Sequence, residues 1–358
     1  MWSKEEISRF KRQLLLPEMG EMGQLALKNA KILVVGAGGL GNVVCAYLAA
    51  AGVGRITIVD HDGVDISNLQ RQVMFTQRDI GLPKARQLAM RLEALNNTCQ
   101  YVPVISSINK SNGIQIFGSH DLVIDCVDQI DVRYLLNDLS VYRNIPLVYG
   151  AIHRFEGQVS VFNFKGSGTY RCVFPEKKDK NRVPNCEEIG VIGVLPGLVG
   201  LYQAMEVIKL ITGMGKVLSN QILMIDLLKT THSKFEFKRK EEAIQMAFNR
   251  IQDIAKKSVI TKQRDLKAMD LEGFITRNPN LQIIDIQEEL SKSHWGDIEV
   301  KHIPDYLFQE QIQEFDRKQT ILVYCRKGVK SNWAIQVMDD LEFKDIYQLS
   351  GGISSVTD

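Results

Sequence analysis

The stretch HDGVDISNLQRQVMFTQRDIGLPKA, residues 61–85, crowds Asp62, Asp65, Asn68, Gln70, Arg71 and Lys84 behind the strand-like run ITIVD. Two cations among amides suit the oxygens of a triphosphate. Upstream, Gly36, Gly38 and Gly41 spell G-x-G-x-x-G, with Gly39 inside it, between KILVV and NVVCAYLAAAG. Such a turn sets bare backbone amides and a helix N-terminus against phosphate oxygens, although it also serves where helix and strand only pack closely. Asp60 ends the next apolar run, where a carboxylate takes ribose hydroxyls. Asp125 and Asp128 close the run DLVIDCVD. A hard cation such as Mg2+ takes one or two carboxylates plus phosphate oxygens. Asp128 is the expected holder, the alternative being a cap on the helix VDQIDVRYLLNDL. A hydride-transfer site needs a flat nicotinamide pocket with little charge at its far end, so Arg71 and Lys84 favour ATP over NAD. Solvated surface charge is the bland alternative for both.

A second chemical group lies near the end of the chain. The run TILVYC ends in Cys325 and is followed by RKGVKS. Loop amides, a helix N-terminus and the cations Arg326, Lys327 and Lys330 would favour an anionic sulfur there. The alternative is a buried strand-end cysteine.

The elements that hold these residues are legible from periodicity. KILVV, the glycine turn, NVVCAYLAAAG and ITIVD read strand, helix, strand, a parallel βαβ unit. Leu82, Ala85, Leu88, Ala89, Leu92 and Leu95 recur at helical spacing behind Pro83. YVPVI, DLVIDC and IPLVYG extend the sheet, GQVSVFNF alternates like an antiparallel strand, and Pro196 to Gly213 reads as a helix. LQIIDI, TILVYC and IYQL then announce a second, smaller α/β unit. The boundaries expected are a first domain over 1–236, a charged helical linker over 237–261 and a second domain over 262–358.

Composition narrows the classes. With 358 residues, 45% hydrophobic and 24% charged, the chain has the balance of a globular two-domain protein. Its net charge of +2 lacks the basic footprint of a nucleic-acid binder. Six cysteines scattered without a compact framework suit a reducing compartment. The charged N-terminus MWSKEEISRFKRQ is unlike a signal peptide, and no long uninterrupted apolar run appears, so a cytoplasmic protein without membrane partners is expected.

Taken in order, FKRQLLLPEMGEMGQ, ILVVGAGGLG, LAAAGVGRITIVD, SNLQRQ, GLPKA, DLVIDCVD, FEGQVSVFN, YRCVFPE, NCEEIGVIGVLPGLVG and QAMEVIKLITG resemble the MoeB/ThiF/HesA family, bacterial relatives of ubiquitin-activating enzymes. The resemblance implies an α/β fold, a Rossmann-like, mostly parallel sheet with helices on both faces. It implies that Asp60 binds ribose, that Arg71 and Lys84 bind the triphosphate, and that Asp128 holds Mg2+. It also implies that Arg12 reaches into the partner subunit's site within a homodimer. The substrate implied is a ubiquitin-like sulfur carrier protein ending in Gly-Gly, whose carboxylate is adenylated and then converted to a thiocarboxylate. Many members hold structural zinc in two C-x-x-C pairs. Here Thr169 and Cys172 occupy the first pair and KRKEE follows Phe237, so no zinc site is expected, since a closed one needs four ligands. Gln129 replaces a usual asparagine. Cys186 matches a loop cysteine that some members use in covalent transfer, the alternative being a spare thiol. Cys45, Cys99 and Cys126 read as core residues.

IIDIQEE, HIP, YCRKGVKS and LSGGI resemble a rhodanese-like domain, in which Cys325 would carry a persulfide received from a donor such as thiosulfate or another persulfide. Gln287 stands where arginine is usual, and the chain stops soon after GGI, so a clipped domain is expected. The fusion favours molybdopterin synthesis. Thiamine synthesis, tRNA thiolation, a nicotinamide-dependent oxidoreductase and a silent scaffold that binds a ubiquitin-like protein are the alternatives.

Overall fold

The computed structural model describes residues 2–176, 190–262, 265–287 and 299–356. The chain divides into two compact units, Met1–Gln252 and Asp253–Asp358.

In the first unit, β1 (Lys31–Val35), β2 (Arg55–Val59), β3 (Gln100–Val104), β4 (Leu122–Asp125) and β5 (Leu147–His153) run parallel. β6 (Glu156–Phe162), β7 (Gln221–Asp226) and β8 (Thr231–Glu236) then continue the sheet antiparallel, giving the order β3-β2-β1-β4-β5-β6-β7-β8. Ile32, Leu33 and Val34 of β1 are wholly buried although consecutive side chains point to opposite faces. Both faces of the sheet are therefore covered, as near-continuous apolar strands require.

The register places the switch point. Val35 ends β1 beside Val59 of β2 on one side and Asp125 of β4 on the other. The next strands in sequence leave in opposite directions from β1, and ligands of open α/β sheets bind in the crevice so formed. The turn entering the helix Gly39–Ala51 is tight. Gly36 has φ 99°, and a Cβ there would lie 2.5 Å from the Cys126 carbonyl oxygen. A Cβ on Gly41 would collide with the carbonyl oxygen of Gly36. Gly41 thus lets the first helical turn close onto the strand end.

The helix Val194–Thr212 is long and apolar enough to cross a membrane by length and composition. Its Leu195, Val199, Ala204 and Val207 are nevertheless buried in the first unit's core. The helix Glu241–Lys262, read from sequence as a connector, begins inside the first unit. Ala247 and Ile251 are buried, and the Phe248 ring lies 5.5 Å from that of Tyr142. Apolar residues at four-residue spacing dock this first half, so it is no free spacer.

The second unit is a parallel sheet of β9 (Asp265–Leu266), β10 (Gln282–Asp285), β11 (Val300–His302), β12 (Ile321–Tyr324) and β13 (Ile346–Leu349), in the order β11-β10-β12-β13-β9. Ile284, Ile303, Phe308, Val323 and Met338 are wholly buried in its core. Cys325 follows β12 directly, at the strand's carboxyl end.

Candidate active site

A cleft of about 590 Å³ opens at the carboxyl edge of the first sheet, over the switch point. Gly36, Gly38 and Gly39 line it, with Gly38 as the N-cap of the Gly39–Ala51 helix. Exposed amides and the positive end of the helix face the cavity, an arrangement that favours anions. Gly41, expected to share in binding, does not line the cleft. It sits within the first turn of the helix, where its close approach to Gly36 is a packing requirement.

Asp60 follows β2 directly at the cleft wall. Its carboxylate accepts backbone N–H groups from Ala37 at 2.6 Å and Asp62 at 2.8 Å. Burial pushes the Asp60 carboxyl above the usual carboxylate range, while these two donors pull it down. The group is fixed in orientation, with lone pairs left for a diol. Lys84, 7% exposed, starts the Lys84–Leu95 helix and donates to Asp62 Oδ2 at 3.0 Å. Arg71 lines the same wall and donates to the Ser67 carbonyl at 2.9 Å. Asp62, Asn68 and Gln70 also line the cavity. Asn68 has a prior engagement, since its Oδ1 accepts from the Asp65 N–H and closes the turn Ile66–Asn68. Asp65 caps that turn and does not border the cleft.

Across the cavity stands Asp128, exposed at the rim. Its carboxylate has no hydrogen bond or ion pair among the described residues, and Gln129 rather than Asp128 occupies the N-cap position of the Ile130–Arg143 helix, without a side-chain capping bond. An acid left free beside phosphate-seeking amides has the character of a ligand for a hard cation. Asp125, the other acid considered, is wholly buried. Its Oδ2 accepts from Arg133 Nε at 2.7 Å, which leaves it unsuited to holding a metal in the cleft. Arg12 lies on the exposed side of the Lys4–Leu14 helix and does not line the cleft of its own chain. Cys186 lies outside the described residues.

Sequence reasoning missed two groups. Arg133 lines the cavity and packs 4.9 Å from the Tyr149 ring centroid; its place five residues after Asp128, on the helix that follows, was the available signal. Gln72, directly after Arg71, is 3% exposed at the cavity, and its Oε1 has no partner among the described residues.

In the second unit, Gly328 takes φ 81° and caps the Val329–Asp340 helix. The Cys325 sulfur accepts the Ser331 N–H at 3.4 Å and lies 3.7 Å from Ser331 Oγ. The segment LSGGI closes on the loop, with Ile353 N–H donating to the Cys325 carbonyl at 2.9 Å and Ser354 N–H to that of Arg326 at 3.1 Å. Of the three cations expected to serve the sulfur, Lys330 is bonded to Asp305 at 2.8 Å, so its charge is shared. Gln287, in the place of an arginine, turns its amide to Asp285 at 3.4 Å.

Cys172 is buried, and its sulfur accepts backbone N–H groups from Thr169 and Lys240, each at 3.3 Å. The only cluster of potential metal-binding groups among the described residues is Asp60, His61 and Asp62. Cys45 and Cys126 are core residues, whereas Cys99 is half-buried.

A glycine turn, an anchored acid and two cations at a sheet's switch point make the first unit a phosphate-binding α/β domain of the kind that holds nucleotides. The chain belongs to the ThiF family, which it matches over residues 10–246, and a rhodanese-like domain matches residues 274–358. It is 44% identical over 66% of its length to a sulfur carrier protein adenylyltransferase of Thermus thermophilus, 90% of which is covered. It is 31% identical to the adenylyltransferase and sulfurtransferase MOCS3 of Danio rerio, covering 98% of this chain and 85% of that one. A probable molybdopterin-synthase adenylyltransferase of Porphyra purpurea is 34% identical, with 99% and 94% covered. The fold is similar to that of E. coli MccB, with a TM-score of 0.59 at 23% identity over 67% of this chain and 71% of that one. The chain is thus an enzyme of the adenylyltransferase class with a sulfurtransferase-like domain attached.

Proposed function

We propose that the chain adenylates the C-terminal Gly-Gly carboxylate of a ubiquitin-like sulfur carrier protein and then directs sulfur to it, giving a thiocarboxylate for molybdopterin synthesis. The observation that carries this reading is the meeting of Arg71, Lys84 and Asp128 around the glycine turn in one cleft. The names of the relatives and the fused rhodanese-like domain support the carrier and the pathway.

In this reading Asp60 orients the ribose, and the amides at Gly38 and Gly39 with Lys84 and Arg71 hold the triphosphate. Lys84 must pass from Asp62 to a phosphate, an exchange of one anionic partner for another. The carrier's carboxylate oxygen attacks the α-phosphorus, the bond to the β-phosphate oxygen breaks, and pyrophosphate leaves with the electron pair. Asp128 is suited to hold Mg2+, which when bound would supply positive charge to offset the negative charge developing on the phosphates. An extended diglycine, free of side chains, can approach between narrow walls.

Arg12 completes the site from the second subunit of a homodimer. An apolar groove lined by Tyr47, Leu201, Met205 and Ile208 adjoins Gln13, the neighbour of Arg12, and suits a second copy. Incorporation of pyrophosphate into ATP should require a carrier ending in Gly-Gly. A mixture of Arg12→Ala and Asp128→Ala chains should exceed either variant alone, because mixed dimers retain one intact site. Failure of every such carrier, together with tight NAD binding, would sink the reading.

The Cys172 position holds no zinc in this account, its sulfur tying Thr169 to Lys240 by hydrogen bonds instead. Elemental analysis of chelator-washed protein should give far less than one zinc per chain. The described cysteines are unbridged, which supports a reducing, cytoplasmic setting that fractionation can test.

A further inference from the structure

We infer that Arg133 is the positioning residue of the Asp128 turn, an inference that rests on the proposed role of Asp128. Arg133 stands one turn into the Ile130–Arg143 helix and is 7% exposed. Its guanidinium makes contacts to three separate pieces of the site. Nε donates to Asp125 Oδ2 at 2.7 Å, and Nη2 donates to the Val127 carbonyl at 2.7 Å and to the Gly150 carbonyl at 3.2 Å. The Tyr149 ring covers it, and Asp125 Oδ1 in turn accepts the Val127 N–H at 3.1 Å.

These bonds surround the peptide that precedes Asp128. Val127 has its N–H held by Asp125 and its carbonyl held by Arg133, so both of its flanking peptide planes are fixed. The Gly150 contact ties the same turn to the middle of β5. Among the described residues the Asp128 carboxylate makes no hydrogen bond of its own. Its place in the cleft is therefore inherited from Val127. The arginine fork suits this task because its donors lie in one rigid plane, which a lysine ammonium cannot reproduce.

Buried charge explains why the device holds together. Asp125 is wholly enclosed, and a carboxylate there needs a paired cation. Once the pair exists, the remaining donors of the fork can organise the loop. A misplacement of about 1 Å at a reacting centre can lower a rate about 10²-fold. The Asp60, Arg71 and Lys84 wall is built from other elements, so nucleotide affinity should be spared.

The test uses the full chain carrying Arg133→Lys and, separately, the paired change Arg133→Gln with Asp125→Asn, which leaves no buried charge unmatched. Pyrophosphate exchange should fall about 10²-fold in kcat, the Mg2+ concentration for half-maximal exchange should rise, and ATP affinity should stay within about twofold. Adding Asp128→Ala to either variant should cost little beyond Asp128→Ala alone, because both changes act through the same carboxylate. A folded variant with wild-type exchange and Mg2+ dependence would overturn the inference, as would a drop confined to ATP affinity. If Asp128→Ala alone left exchange intact, the failure would belong to the metal-holding role and not to the Arg133 contacts.

Discussion

Replacing Asp128 by alanine is expected to lower carrier-dependent pyrophosphate exchange by about 10²–10³-fold while ATP still binds. The size follows from what the group does. Attack on an α-phosphorus gathers charge on phosphate oxygens, and a preplaced counter-charge in a partly enclosed cleft acts more strongly than one in water. Asp128 is the cleft acid whose carboxylate is free of protein partners among the described residues, so its loss removes the expected cation holder without undoing a hydrogen bond. Stability should scarcely change, because an exposed, unbonded carboxylate contributes little to folding. A thermal melt together with exchange kinetics separates the two effects. Asp128→Asn, which keeps the shape but not the charge, should fall nearly as far.

Cys325→Ser should abolish sulfur loading of the second unit while leaving adenylation within about twofold of wild type. With thiosulfate as donor, the Cys325 thiolate attacks the sulfane sulfur, a new S–S bond forms, the old S–S bond breaks, and sulfite leaves with its electron pair. The sulfur accepts the Ser331 N–H within the first turn of the Val329–Asp340 helix, at the carboxyl end of β12. A serine hydroxyl at that place has neither the acidity nor the nucleophilicity to replace it. Intact-protein mass spectrometry should show one added sulfur on the wild type and none on the variant. Loading of the variant, or an unloaded wild type under a persulfide donor, would remove sulfur delivery from the account.

The fold was legible largely because its cues are local. Apolar runs ending at Val35 and Val59, with a glycine turn between them, determine a βαβ unit almost without tertiary help. Asp60 was legible for the same reason, since it lies just past the end of β2, and Arg71 and Lys84 fall in the connection that follows it and return to the same cleft. The choice between Asp125 and Asp128 rested on less. Both close the same run, and only burial and the bond to Arg133 tell the structural acid from the free one. Arg133 had only its spacing from Asp128 as a signal, because its function depends on carbonyl groups of Val127 and Gly150 that no side-chain pattern reports. The charged look of residues 237–261 concealed the buried stripe at Ala247 and Ile251, which needs the Tyr142 surface to be recognised as a docking face. Gly41 matched a phosphate-binding pattern yet serves packing, because the same lack of a Cβ answers both needs.

One cleft is expected to hold a nucleotide with its phosphates between Arg71, Lys84 and Asp128. A crystal structure with a non-hydrolysable ATP analogue and Mg2+ tests it directly. The ribose should lie on Asp60, the β- and γ-phosphates within hydrogen-bonding distance of Arg71 and Lys84, and the cation on Asp128. Phosphates lying away from all three side chains, or a cation held elsewhere, would contradict it.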